Sequence, residues 1–145
     1  MRQSWACLAL SALAWGCGSS GTPTVAVEVS DIVKIPFHGP GGPGSEPISL
    51  TFTWTVVLHS GSSAGCDVSH ITTQLVEAVS GSTLVAESDP GPGALPEEGA
   101  TRFKQSQGGS YPSALYTRVW QGHTVVEVKC SGGVTQQAQT DFTIK

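Results

Sequence analysis

Asparagine is absent from the 145 residues, so no Asn-x-Ser/Thr acceptor for N-glycosylation exists. Charge is scarce too: Asp, Glu, Lys and Arg make up 12% of the chain, against about 25% in an average soluble domain. Eleven acids face seven bases, a net charge of −4. The bases beyond Arg2 (Lys34, Arg102, Lys104, Arg118, Lys129 and Lys145) are scattered, apart from Arg102 and Lys104. That balance argues against a phosphate-tracking surface, so nucleic acid is not an expected partner. No apolar stretch approaches the about 20 residues that span a bilayer as a helix. Helical periodicity is missing throughout, and 18 glycines and nine prolines interrupt the chain too often for a long helix.

The first residues are informative about compartment. Arg2 supplies a positive charge and Trp5 to Trp15 an apolar run, the order of a secretory signal. The segment Leu13-Ala14-Trp15-Gly16-Cys17 resembles a bacterial lipobox. The resemblance implies cleavage before Cys17, residues 1–16 being the signal, and a diacylglycerol on the Cys17 thiol. Residues 17–23 then form a tether rich in Gly and Ser, flexible as a lipid-anchored domain requires. Two or more acyl chains hold a protein stably in a membrane. Gly18 rather than Asp follows the cysteine, which in that family points to the outer membrane or cell surface; the periplasm or secretion is the alternative. Loss of Arg2 leaves 11 acids and 6 bases, a net charge of −5.

Four cysteines are present. Cys7 falls in the signal and Cys17 is the lipid site, which leaves Cys66 and Cys130 as an even pair in an oxidising compartment. A disulfide between them closes a loop of roughly 65 residues and contributes about 2–4 kcal/mol. The alternative is two separate buried thiols.

Roughly 125 residues remain after the signal, the size of one domain, here residues 24–145. Ile48, Leu50, Phe52, Trp54, Val56 and Leu58 alternate with Ser and Thr. This is the strongest period-two pattern in the chain, and it predicts a half-buried strand placed centrally over the core. Thr124, Val126, Val128 and Cys130 form a second inward set, and Val134, Ala138, Thr140, Phe142 and Ile144 a third. Ile71 to Val79 and Thr83 to Glu87 flank the turn Ser80-Gly81-Ser82 as a hairpin. Val25 to Ile35 and Leu115 to Trp120 read as further strands, with Gly122-His123 as a turn after the latter. Gly39 to Pro47 and Asp89 to Gly99 read as exposed loops. The expected fold is all-β, an antiparallel β-sandwich of seven to eight strands.

With the strand around Trp54, the Cys66–Cys130 pair and the hairpin Val76 to Ser82, the body resembles bacterial immunoglobulin-like or fibronectin-type-III-like domains. Such domains serve mostly as spacers, adhesin modules or interaction modules. The chain departs from antibody domains: Trp54 precedes the first cysteine, and Val128 rather than Tyr stands two before the second.

Five patterns have competing chemical readings. Gly61-Ser62-Ser63-Ala64-Gly65 matches a hydrolase nucleophile elbow with Ser63 as nucleophile, but that motif works at a strand-to-helix turn, and a β-like segment follows. Gly39 to Gly44 matches G-x-G-x-x-G, yet carries two prolines and opens no helix. His38, His59, His70 and His123, with Cys66 nearest His70, lack the spacing of a zinc site. Glu87, Asp89, Glu97 and Glu98 cluster near one loop without a calcium-loop consensus. Tyr111, Tyr116 and Trp120 could expose a glycan platform, but alternation puts Tyr116 and Trp120 on one face, where core packing accounts for them. The sequence therefore predicts no catalytic residue, metal or cofactor. It predicts a lipid-anchored, non-enzymatic interaction or structural module with an unspecified protein or glycan partner; the alternative is an extracellular carbohydrate- or calcium-binding module.

Overall fold

The computed structural model describes residues 24–37, 48–61, 65–96 and 98–145. Cys17, the signal, His38, Gly39 to Gly44, Ser63 and Glu97 lie outside them. The described chain forms eight strands: β1 (Thr24–Phe37), β2 (Ile48–Gly61), β3 (Cys66–Glu77), β4 (Thr83–Ser88), β5 (Gly93–Ala94), β6 (Glu98–Tyr111), β7 (Trp120–Cys130) and β8 (Val134–Ile144). They pair antiparallel in two sheets. One has the order β1-β2-β6; the other has the order β4-β3-β7-β8, with β5 paired to β3. The fold is the expected antiparallel, immunoglobulin-like β-sandwich.

Alternation builds the core. Leu50, Phe52, Trp54, Val56 and Leu58 of β2 are all buried, and β2 is the central strand of its sheet. They meet Val68, Ile71 and Leu75 of β3 and Trp120, Val126 and Val128 of β7. The Phe52 and Trp120 rings lie 4.8 Å apart, and Tyr111 stands edge-on to Trp120 at 5.3 Å. Aromatic pairs in such tilted or edge-on geometries add about 0.5–1.5 kcal/mol beyond the area that they bury.

Two bulges alter the alternation. In β1 the register shifts between Ser30 and Val33, and Asp31 adopts a φ of 51°. Asp31 and Ile32 thus stand against the single residue Trp54. An extra residue moves every later side chain to the opposite face. Val25, Val27 and Val29 pack on the core, whereas Val33, Ile35 and Phe37 point outward and are 48%, 47% and 68% exposed. In β3 the shift between Val68 and His70 leaves Ser69 unpaired and lets Val68 and Ile71, three apart, both face inward.

The structure corrects several expectations. Leu115 to Trp120 is not a strand: Ser113–Leu115 is a 3-10 turn, further turn residues follow, and Trp120 opens β7. Gly122-His123 is not a turn but lies within β7. Gly122 faces Phe142 across the ladder, and a Cβ there would fall 2.1 Å from the ring. The glycine makes room for the aromatic side chain on β8. Asp89 to Gly99 is not a plain exposed loop: it contains β5, buries Leu95 and runs into β6. Val134, register partner of Cys130 at the start of β8, is exposed. Residues 98–111, for which the sequence predicts no strand, form β6.

Candidate functional site

The two ends of the sandwich differ. At one pole lie Thr24, Gly61 and Glu98, aligned across the first sheet, and the paired Cys66 and Cys130 of the second. At the far pole lie Phe37, Ser49 and Ser110, together with Glu77, Trp120 and Ile144. Thr24, the first described residue, thus lies at the same pole as the disulfide.

Cys66 and Cys130 form a disulfide with Cα atoms 3.9 Å apart. They are register partners on β3 and β7, so the bond lies within one sheet, whereas antibody domains link their two sheets. It ties together residues 64 apart.

Among the described residues the other candidates do not converge. His59 faces Glu28 at 3.3 Å on the outer face of the three-stranded sheet. His123 Nδ1 lies 2.6 Å from Asp141 Oδ1 on the outer face of the other. His70 pairs in register with Glu127. Among the described residues no three His, Cys, Asp or Glu side chains group as a metal site would need. The aromatic trio is also dispersed. Trp120 is fully buried and Tyr111 packs on it. Tyr116 sits in the turn before β7, exposed, with Lys34 Nζ 5.3 Å from its ring centre. Tyr116 and Trp120 therefore do not share a strand face, because the intervening chain is not extended. Burial raises the Tyr111 hydroxyl above its ordinary pKa.

A buried polar cluster spans both sheets, and the sequence reading missed it. Gln105 of β6 points inward, and its Oε1 accepts hydrogen bonds from Trp54 Nε1 at 3.0 Å and Thr73 Oγ1 at 2.7 Å. Thr73 and Thr124 hydroxyls meet at 2.8 Å, and Gln105 Nε2 donates to Ser88 Oγ at 3.4 Å. Buried polar groups are costly unless paired, so this chain of bonds fixes one sheet against the other. Its sequence signal was a glutamine between Phe103 and Gln107 at strand spacing, too weak to read without the partner strand.

Two ionisable groups cluster near the far pole. Glu77 is buried at the end of β3. Its carboxylate accepts from the Ser80 backbone N–H, while the backbone of Glu77 closes the same turn through Ser82 and Gly81. Hydrogen bonds from the Ser80 side chain and backbone hold Glu77 below the usual carboxylate pKa. The Val79 N–H and the Arg118 charge act in the same direction, and burial opposes them. Lys34, turned inward by the bulge in β1, donates to the Arg118 carbonyl at 3.1 Å, and burial lowers its pKa. These groups tie β1, the β3–β4 turn and the turn before β7 together.

The outer face of the three-stranded sheet is divided. Toward the far pole its rows read Phe37, Ser49, Ser110; Ile35, Thr51, Gly108; and Val33, Thr53, Ser106, with no charge among them. Toward the other pole, that of Thr24 and the disulfide, it carries Glu28 and Asp31 on β1 against Arg102 and Lys104 on β6. Thr55 and Val57 between them are buried although they face outward.

No protein-family model matches the chain, and no curated protein matches it. Solved structures do. A Northeast Structural Genomics Consortium target, SoR45, superposes with a TM-score of 0.55 at 14% identity, covering 84% of this chain and 85% of that one. A Bordetella pertussis protein assigned the name ApaA superposes with a TM-score of 0.55 at 13% identity, covering 84% of this chain and 93% of that one. At such identity the likeness is one of fold alone.

Proposed function

We propose that this protein is a bacterial envelope lipoprotein, anchored through Cys17, whose β-sandwich works as a non-enzymatic interaction or structural module. The observation that carries the reading is the Cys66–Cys130 bond. Disulfides persist in oxidising compartments, and a protein with an Arg2-led apolar signal and Gly16-Cys17 after it reaches such a compartment tethered. The tether then meets the domain at the pole where the disulfide lies, and the far pole points away from the membrane. The module's contacts are made by its sheet faces and far-pole turns, in the outer membrane or at the cell surface.

Replacing Cys17 with Ser tests the anchor. The wild-type protein is expected in the membrane fraction, and the Cys17→Ser variant in the soluble periplasmic or medium fraction. A variant that stays membrane-bound contradicts the reading.

A further inference from the structure

We propose that the outer face of the β1-β2-β6 sheet binds a second copy of this chain, face to face, about a two-fold axis parallel to the strands. The axis direction rests on the lipid-anchored reading. Two copies tethered to one membrane by the same pole share polarity, so a two-fold that relates them runs along the membrane normal, and hence along the strands.

That rotation has a definite consequence for this sheet. With the axis over β2, β1 of each copy lies on β6 of the other, and every row meets its own copy reversed. At the far-pole end, Phe37 meets Ser110 of the second copy, Ile35 meets Gly108 and Val33 meets Ser106. Three large, exposed apolar side chains thus face three of the smallest residues in the sheet, and protrusion fits recess twice over. At the tether-pole end, Glu28 meets Arg102 of the second copy, and the Ser30–Asp31 bulge meets Lys104. Acid opposes base at the same height. Size and charge are both segregated between β1 and β6, and one symmetry operation satisfies both.

The face approaches the size of a stable interface. Three strands about 4.8 Å apart, each 14 residues long at about 3.3 Å per residue, project about 670 Å², before the relief of side chains is counted. A standard interface takes about 800 Å² per partner. Edge-to-edge pairing through β1 is less well served, because Pro36 lacks the N–H that a continuous ladder would use.

Cysteine pairs in the full-length, membrane-expressed chain test this. Val33→Cys with Ser106→Cys in one chain should cross-link to a dimer under mild oxidation, seen on a non-reducing gel. Either substitution alone should leave monomer. A dimer from Val33→Cys alone would mean β1 on β1, and overturns the geometry. No dimer from the double variant in the membrane fraction overturns the proposal. A double variant that cross-links equally well from a soluble fraction upholds the face pairing and removes the anchor. Sedimentation equilibrium of the detergent-extracted chain gives a readout free of new cysteines. A salt-sensitive dimer is expected, weakened at least about tenfold by Ile35→Asp. Equal association of wild type and Ile35→Asp overturns the proposal.

Discussion

Replacing Gln105 with Met keeps the length of the side chain and removes its polar atoms. Trp54 Nε1 then loses its acceptor at 3.0 Å inside the sandwich. Leaving one buried donor unsatisfied costs about 1–3 kcal/mol. The Thr73 hydroxyl loses its 2.7 Å bond but can turn toward Thr124, 2.8 Å away, so its share is at the low end, about 0.5–1 kcal/mol. The variant should therefore be less stable by about 1.5–4 kcal/mol. Equilibrium urea unfolding, followed by far-ultraviolet circular dichroism with the disulfide intact, measures this. A double-mutant cycle isolates the cause. Trp54→Phe in the Gln105→Met background no longer strands a donor, so the two changes should couple by about 1–2 kcal/mol. A Gln105→Met cost under about 0.5 kcal/mol, or additive changes, would refute the claim that the cluster fixes one sheet on the other.

Cys66→Ser combined with Cys130→Ser should cost about 2–4 kcal/mol, because it frees a loop of about 65 residues in the unfolded chain; non-reduced tryptic peptides of the wild type should show the two cysteines linked, and free-thiol peptides would contradict the bond. Glu77 has a folded pKa below its unfolded value, so its contribution is present above the ordinary Glu range and is lost as pH falls through the lower, folded value. The stability gap between wild type and Glu77→Gln should accordingly narrow on acidification, and a gap that widens in acid would reverse the assignment.

The sequence was most legible where one face is buried and the other wet. In β2 the inward residues are all large and apolar, and the outward ones are mostly hydroxyl-bearing, so its register and central position could be read directly. The inward set of β7 was legible for the same reason. The miss in β6 is instructive. Its inner face carries Thr101, Phe103, Gln105, Gln107, Gly109 and Tyr111, a mixture with no apolar period. What makes it a strand is β2 beside it and the hydrogen bonds of Gln105 across the core, both of which are tertiary. Gly122 misled because a glycine next to a polar residue signals a turn, while its role is to accommodate Phe142 from a neighbouring strand. The outward turn of Val33, Ile35 and Phe37 was also hidden. Val25 to Ile35 alternates evenly on paper, and only the bulge at Asp31 shows which half faces the core. Of the candidate site residues, Cys66 and Cys130 were found by parity and compartment. The histidines and aromatics were residue types without shared geometry.

The anchored account stands most directly on the mature N-terminus. Mass spectrometry of the protein extracted from membranes should find a first peptide that begins at Cys17 and carries a diacylglycerol. A first peptide that begins elsewhere, or an unmodified Cys17, would contradict it.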